Sequence, residues 1–298
     1  MTPAPGRIPG WEGRDEEGWA EWLGCPILEL HRELPSTNDR AKALARGGAP
    51  PFTVVVAGAQ SRGRGRGGKV WHSPQGGGLW ISVLLAGDPG KGPGVLPLAV
   101  GVAGARALEG VIRAGAGKGV TGVAEGARVR VAVKWPNDLL LETGERVGKV
   151  GGILCEAAGS RVVAGIGINL RRPAGALPEE VARGASFLDD AVDAVPPPLL
   201  ARELLAALRE WADPLPGHLP EALAKEWRGR DRLLGREVVC EAGPRGMAGG
   251  IGPDGALLVR LPEGTVIPVR GGSVRLARDE AERPLATSGS PEGGTEEG

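Results

Sequence analysis

Two apolar runs, Thr53–Ala57 and Trp80–Ala86, bracket the segment Gln60-Ser61-Arg62-Gly63-Arg64-Gly65-Arg66-Gly67-Gly68-Lys69-Val70-Trp71. Runs of this length and composition read as buried strands. The polar segment between them is therefore a loop tied at both ends into a core. Its cations, Arg62, Arg64, Arg66 and Lys69, alternate with glycine. Glycine admits positive φ and exposes amide N–H groups, while guanidinium forks match carboxylate and phosphate oxygens. Such a loop can wrap an anion closely and is expected to be mobile until one arrives.

The same residues imitate other signatures. Gly63, Gly65 and Gly68 satisfy G-x-G-x-x-G after a strand, but Ser73-Pro74 follows where a dinucleotide fold needs a helix. Gly63 through Lys69 satisfies G-x-x-x-x-G-K, yet Val70 replaces the Ser or Thr that would hold Mg²⁺. An arginine-glycine RNA-binding segment belongs in a low-complexity tail rather than between core strands. A solvated charge run is the remaining bland reading.

Around this loop the chain reads as a mixture of strand and helix. Ser36-Thr37-Asn38 offers N-cap side chains to a helix through Ala45, stopped at Gly47-Gly48. Leu96–Arg113 is a helix whose Gly101 and Gly104 let a neighbour pack close. Val129–Trp135 alternates as a half-buried strand with Lys134 on its open face. Pro136-Asn137-Asp138 breaks it, Leu139–Leu141 starts a return strand, and Gly151–Ala157 and Val162–Leu170 continue the sheet. Leu199–Trp211 and Pro220–Trp227 are helical. After Leu234 four short strands, Glu237–Glu241, Ala256–Leu261, Val266–Val269 and Ser273–Leu276, spaced by Gly and Pro turns, suggest a small all-β module.

Thirty-six basic residues balance 36 acidic ones, so no global field draws the chain to nucleic acid or anionic membrane, and an anion site must be local. Three scattered cysteines and three scattered histidines form no metal set and fit a reducing compartment. The start lacks the pattern of a secretory signal, and Gly92–Ala105 is too short to span a bilayer, so the cytoplasm is expected. Residues 1–26, rich in Gly, Pro and Glu, show no helix-turn-helix and are expected as a flexible segment. Gly115–Gly126 reads as a glycine-rich loop and 278–298 as a disordered acidic tail.

Three further segments carry chemistry. Lys134, followed by the amide of Asn137 and the carboxylate of Asp138, can meet a polyphosphate and its Mg²⁺, though an ordinary turn explains it alone. Gly148-Lys149-Val150-Gly151-Gly152-Ile153 sets a lysine beside glycines at a strand entry, leaving room for a ligand. In Gly165-Ile166-Gly167-Ile168-Asn169 the glycines clear one face into a shelf suited to a flat nucleoside or a close backbone.

Taken in order with Pro35-Ser36-Thr37-Asn38 and Trp71-His72-Ser73-Pro74, these segments resemble the catalytic domain of biotin-protein ligases, from about residue 27 to 277. The chain looks like the type without an N-terminal DNA-binding domain. The resemblance implies an α+β fold, a mixed sheet with flanking helices over 27–232, and a small SH3-like all-β domain over 233–277. It implies ATP-dependent formation of biotinyl-5'-AMP and transfer of biotin to a lysine of a biotin carboxyl carrier domain, with ATP, biotin and Mg²⁺ as reactants. By the family pattern Ser36, Thr37, Asn38, Gln60, Arg64, Gly65, Arg66 and Lys149 bind biotin. Arg64, Arg66, Lys69, Trp71, Lys134, Asn137 and Asn169 meet ATP or the adenylate. Lys149 and Lys134 are the catalytic cations and Asp138 the Mg²⁺ ligand. Lys69 stands where the family usually has arginine, and Arg62 where a small residue is common. Neither DNA nor membrane is an expected partner, and monomer and homodimer are both left open. The rivals are a lipoyl or octanoyl ligase or transferase of the same fold, and an RNA-binding protein using the loop.

Overall fold

The computed structural model describes residues 8, 10–115, 129–173, 175, 177–212, 217–241 and 243–277. The expectations for the glycine-rich loop after Gly115 and for the acidic tail from 278 fall outside them. Two sheets organise the chain. The larger has seven strands in the order β1-β2-β3-β7-β6-β5-β4. These are β1 (Leu28–Leu34), β2 (Val54–Gln60), β3 (Gly78–Leu85), β4 (Val129–Lys134), β5 (Asp138–Thr143), β6 (Arg146–Ala158) and β7 (Arg161–Asn169). Only β1 and β2 pair in parallel; the rest of the sheet is antiparallel.

Strand alternation splits the side chains between two faces. On one, Val54, Val56, Ile81, Val83, Ile166 and Ile168 join the main core beneath α3 (Leu96–Gly115) and α5 (Pro197–Ala212). Gly101 and Gly104 of α3 do admit close neighbours, since a Cβ there would lie 3.2 Å from Trp227 and 2.8 Å from Leu139. On the other face α2 (Thr37–Arg46) buries Ala41 against Val55, Leu84 and Val163. Because α2 covers only part of that face, its N-terminus opens onto the glycine-bearing part of β7.

The all-β module holds five antiparallel strands, β8 (Glu237–Cys240), β9 (Arg245–Ile251), β10 (Leu257–Arg260), β11 (Val266–Val269) and β12 (Val274–Leu276). The expected α+β class, with a second all-β sheet, is therefore what the chain adopts. Strand β9 went unpredicted because its inward positions are Gly246, Ala248 and Gly250, too small to mark an apolar period. The module docks where Trp135 Nε1 donates to the Gly255 carbonyl at 3.0 Å, at the turn that carries the cis Trp135-Pro136 bond.

Two local expectations need correcting. The supposedly flexible segment before residue 27 carries α1 (Glu16–Leu23), capped by Asp15, whose side chain accepts from Gly18 N at 2.8 Å. Trp11, Trp19 and Leu23 are buried there, with Trp11 and Trp19 edge-to-face at 5.4 Å, so a few large side chains offset a composition that looks disordered. At α2, Ser36 occupies the N-cap but makes no capping hydrogen bond. The hydroxyl of Thr37 and the amide of Asn38 are drawn instead to partners on the sheet. Two further α-helices among the described residues are α4 (Glu179–Gly184), missed in the sequence, and α6 (Glu221–Arg230). Among the described residues no helix is long and apolar enough to cross a membrane.

Candidate active site

One cavity of about 750 Å³ opens on the α2 face of the sheet. Its lining includes Ser36, Thr37, Asn38, Gln60, Arg64, Gly65, Arg66, Lys69, Trp71, Lys134, Asn137, Asp138, Lys149 and Asn169. The residues nominated from sequence, scattered over more than a hundred positions, are thus brought to one place.

The register of the sheet builds the floor. Trp80 pairs with Gly167 and Gly167 with Gly152, while Ser82 pairs with Gly165 and Gly165 with Leu154. Glycine is required at both β7 positions. A Cβ on Gly165 would sit 2.1 Å from Asn38 Oδ1, and one on Gly167 would sit 2.4 Å from Trp71 Nε1. The shelf read from sequence is therefore already covered, by the Asn38 amide at one step and the Trp71 indole at the next. Those steps lie about 7 Å apart along the strand.

At the first step stands a polar cluster. Thr37 N donates to Gln60 Oε1 at 2.9 Å, and Gln60 Nε2 donates to Ser73 Oγ at 2.8 Å. Asn38 Nδ2 donates to the Leu154 carbonyl at 3.1 Å and to Glu156 at 2.7 Å. Glu156 also receives Lys42 at 2.5 Å and Arg64 at 3.1 Å, and Arg64 reaches Asp39 at 2.6 Å. Burial pushes the Glu156 carboxyl up, but the bonds from Lys42 and Asn38 and the nearby cations outweigh it, so its pKa lies below the ordinary value.

At the second step stand Trp71, Lys149 and Asp138. Lys149 Nζ lies 2.5 Å from Asp138 Oδ1 and 5.2 Å from the centre of the Trp71 ring. Trp71 meets Trp80 edge-to-face at 6.4 Å, and its Nε1 is buried without a partner. Lys149 is not at a strand entry as expected but within β6, beside a register shift: Leu139 pairs with Gly151 while Leu140 pairs with Lys149. Strict alternation from Gly152 would send Lys149 to the opposite face. The extra residue, Val150, is fully buried and turns Lys149 back into the cavity.

The asparagines do more than line the wall. Asn137 Nδ2 donates to the Ile153 carbonyl at 2.7 Å, and Asn169 Nδ2 reaches the carbonyls of Lys149 and Ser186, each at 3.2 Å. Both brace backbone on either side of Lys149. The arginine-glycine loop folds back on itself, with Gly65 N donating to Lys69 O at 2.7 Å and Trp71 N to Gly63 O at 3.0 Å. Gly67 and Gly68 form its tip at φ 63° and 73°, a conformation that disfavours other residues. Arg66 and Lys69 line the cavity from this loop.

Sequence reasoning missed Asp39, Lys42, Glu156, Ser73 and Ser82, and also Glu241, Ser273 and Arg275, which bring the all-β module to the cavity rim. Apart from Ser73, which lies within Trp71-His72-Ser73-Pro74, no quoted motif carries them, because the tertiary fold rather than local spacing sets their place. The thiols are not candidates: burial pushes Cys25 up to about 11 and Cys155 up to about 12.

Comparison with known proteins adds an independent line. Residues 31–172 match the model of the biotin/lipoate A/B protein ligase family. The chain is 32% identical over 244 residues to the biotin--[acetyl-CoA-carboxylase] ligase of Paracoccus denitrificans, covering 78% of this chain and 94% of that protein. It is 36% identical over 166 residues to the bifunctional ligase/repressor BirA of Bacillus subtilis, covering 55% of this chain and 46% of that protein, so it spans under half of that relative. The biotin protein ligase from Aquifex aeolicus in complex with biotin and ATP superposes with a TM-score of 0.64 at 26% identity, covering 85% of this chain and 100% of that one.

Proposed function

The chain belongs to the biotin/lipoate A/B protein ligase family, and from that premise we propose that it activates biotin with ATP as biotinyl-5'-AMP and transfers the biotinyl group to a lysine of a carrier domain. The observation that carries this is the joining of a hydrogen-bonding cluster, Thr37, Asn38 and Gln60, to a cationic one around Lys149 in a single cavity. The first suits a ureido ring, which needs a few fixed polar groups in an otherwise apolar slot. A dithiolane or an alkyl chain offers them nothing, which favours biotin over lipoate or octanoate.

In the first step a carboxylate oxygen of biotin attacks the α-phosphorus and pyrophosphate leaves. Two anions must approach, and Lys149 meets that barrier with a positive charge placed before reaction. Lys134 adds charge at the phosphates, as Lys69 does from the loop. Trp71 forms an apolar wall for the adenine, with Asn137 and Asn169 holding the surrounding backbone. Ser36 closes the ureido end beside Thr37. In the second step the free amine of the acceptor lysine attacks the acyl carbon, AMP leaves, and the amine loses a proton. A mixed anhydride hydrolyses if wet, so Arg64-Gly65-Arg66 acts as a lid that retains it.

Magnesium fits this donor set only as a companion of the triphosphate. Among the described residues no three His, Cys, Asp or Glu side chains converge. Asp138, its charge already matched by Lys149, would give one oxygen while phosphate and water give the rest. When bound, the ion offsets triphosphate charge. The carrier domain of a biotin-dependent carboxylase is the proposed acceptor, and the cytoplasm, where ATP is abundant, the proposed setting.

The test is pyrophosphate release from ATP, with biotin, lipoate or octanoate, followed by labelling of a carrier domain. Biotin-dependent release and labelling are expected. Release with lipoate but not biotin would transfer the assignment to the lipoyl branch of the family.

A further inference from the structure

Behind the hydrogen-bonding cluster lies Ser82, a fully buried residue of β3 that no motif singles out. Its Oγ is 2.7 Å from Thr37 Oγ1 and 2.6 Å from Asn38 Oδ1. A serine hydroxyl has one hydrogen, so only one of these contacts is its donation.

The surrounding groups decide which. One corner of the Asn38 amide faces the Leu154 carbonyl and the Glu156 carboxylate, at 3.1 and 2.7 Å. Both are acceptors, so Nδ2 occupies that corner and Oδ1 faces Ser82. Ser82 therefore gives its hydrogen to Asn38. The remaining contact, at 2.7 Å, needs a hydrogen, and only Thr37 has one to give. Thr37 Oγ1 also lies near Gln60 Oε1, but at 3.2 Å, beyond the usual hydroxyl hydrogen-bond length of about 2.8 Å. Gln60 Oε1, which accepts the Thr37 backbone N–H at 2.9 Å, could take a second hydrogen, but giving it the hydroxyl's would leave two hydroxyl oxygens facing each other at 2.7 Å with none between them.

The geometry points to a one-way relay, Thr37 to Ser82 to Asn38, through which Ser82 commits the Thr37 hydroxyl to accept, never donate, toward the cavity. Ser82 is thus a specificity-determining residue acting through Thr37: it makes this end of the site demand an N–H donor from its ligand. The inference rests on the biotin reading above, since a ureido ring presents N–H groups and neither a dithiolane nor an alkyl chain does. A site built to hydrogen-bond a group rejects analogues lacking it far more strongly than a shape-fitting pocket can.

The probe is a pair of ligands of equal shape, biotin and its cyclic carbonate analogue with oxygen in place of both ureido N–H groups, compared by pyrophosphate release. The unsubstituted enzyme is expected to prefer biotin by ~100-fold or more in kcat/KM. Ser82→Ala frees the Thr37 hydroxyl to turn and donate. It should raise KM for biotin ~10-fold, leave kcat within about threefold, and narrow the preference ~10-fold. Thr37→Val should match that loss, and the double variant should add little to either single one, because both cut the same relay. Additive losses, or equal weakening of both ligands by Ser82→Ala, would overturn the relay. If Ser82→Ala fails to fold, the unsubstituted enzyme still decides: equal use of carbonate and biotin refutes an accept-only Thr37. An unsubstituted enzyme that releases no pyrophosphate with biotin would sink the biotin reading and this inference together. Biotin turnover with an unchanged preference in Ser82→Ala would sink this inference alone.

Discussion

Glu156 ties the loop, α2 and the sheet together, and its substitution by glutamine should loosen all three. The carboxylate holds Lys42 at 2.5 Å, Asn38 at 2.7 Å and Arg64 at 3.1 Å, with its own side chain 22% exposed and that of Arg64 39% exposed. A hydrogen bond to a charged group is worth about 1.5–3 kcal/mol when well buried. Exposure reduces the Arg64 arm to about 0.5 kcal/mol, and glutamine retains one acceptor oxygen. We therefore expect Glu156→Gln to cost about 2 kcal/mol at pH 7, a fall in Tm of about 4–8 °C for a chain of this size. The pH dependence follows from the direction of the shift. Because the folded carboxyl stays ionised below its ordinary value of 4.5, its stabilisation is complete above that pH and drains away as pH falls through the lower folded value. Thermal denaturation of both proteins at pH 7 and at pH 3.5 checks it. A loss below ~0.5 kcal/mol at neutral pH would refute the estimate, being no more than an exposed pair contributes. So would a gap between the two proteins that fails to shrink in acid.

Four further outcomes are expected. Lys149→Met should lower the rate of biotin-dependent pyrophosphate release by ~10²–10³-fold, the usual cost of removing one preorganised charge from a transition state; an unchanged rate would remove Lys149 from the chemistry. Arg66→Gly should leave adenylate synthesis at least partly intact while free biotinyl-5'-AMP accumulates in solution, and a variant that releases no more than the parent would end the lid role of the loop. Gly165→Ala, with its Cβ directed at Asn38 Oδ1 from 2.1 Å, should destabilise by about 1–3 kcal/mol and raise KM for biotin more than KM for ATP, read by denaturation and steady-state kinetics. Cys25, its thiol raised to about 11 by burial, should react with iodoacetamide at pH 8 at least ~100-fold more slowly than free cysteine, as mass spectrometry would report.

What the sequence made legible was whatever repeats a local rule. The alternation in Val129–Trp135 marked a strand, Gly47-Gly48 marked a helix end, and the composition of Gln60 to Trp71 marked a cationic loop between two strands, which lines the cavity. What it hid depends on pairing across the chain. Glu156 lies on an unremarkable strand and gains its role because β6 runs beside β7 and beneath the N-terminus of α2. Ser82 sits amid an apolar run and looks like a tolerated polar residue until the register sets it opposite Gly165. The helix over Glu16–Leu23 was missed for another reason: average composition there is polar, while stability comes from Trp11 and Trp19 packing edge-to-face.

The segment Gly148–Ile153 joins these two kinds of information. From sequence it is a lysine flanked by glycines, with an isolated surface lysine as an adequate explanation. In the sheet each residue has a separate task. Val150 is the extra residue of the bulge, and its burial fixes the direction of the turn. Gly151 lets β7 and β5 approach, since a Cβ would stand 2.9 Å from the Gly167 carbonyl and 3.0 Å from Leu139. Gly152 leaves room above it for Trp71 and the end of the Lys149 side chain, 3.1 and 3.3 Å from where its Cβ would be. The lysine supplies the charge, but the bulge and the two glycines aim it. Deleting Val150 would remove the bulge yet leave Lys149 two residues from Gly152, on the cavity face under strict alternation, so that variant should lose stability with its buried valine but keep more pyrophosphate release than Lys149→Met does.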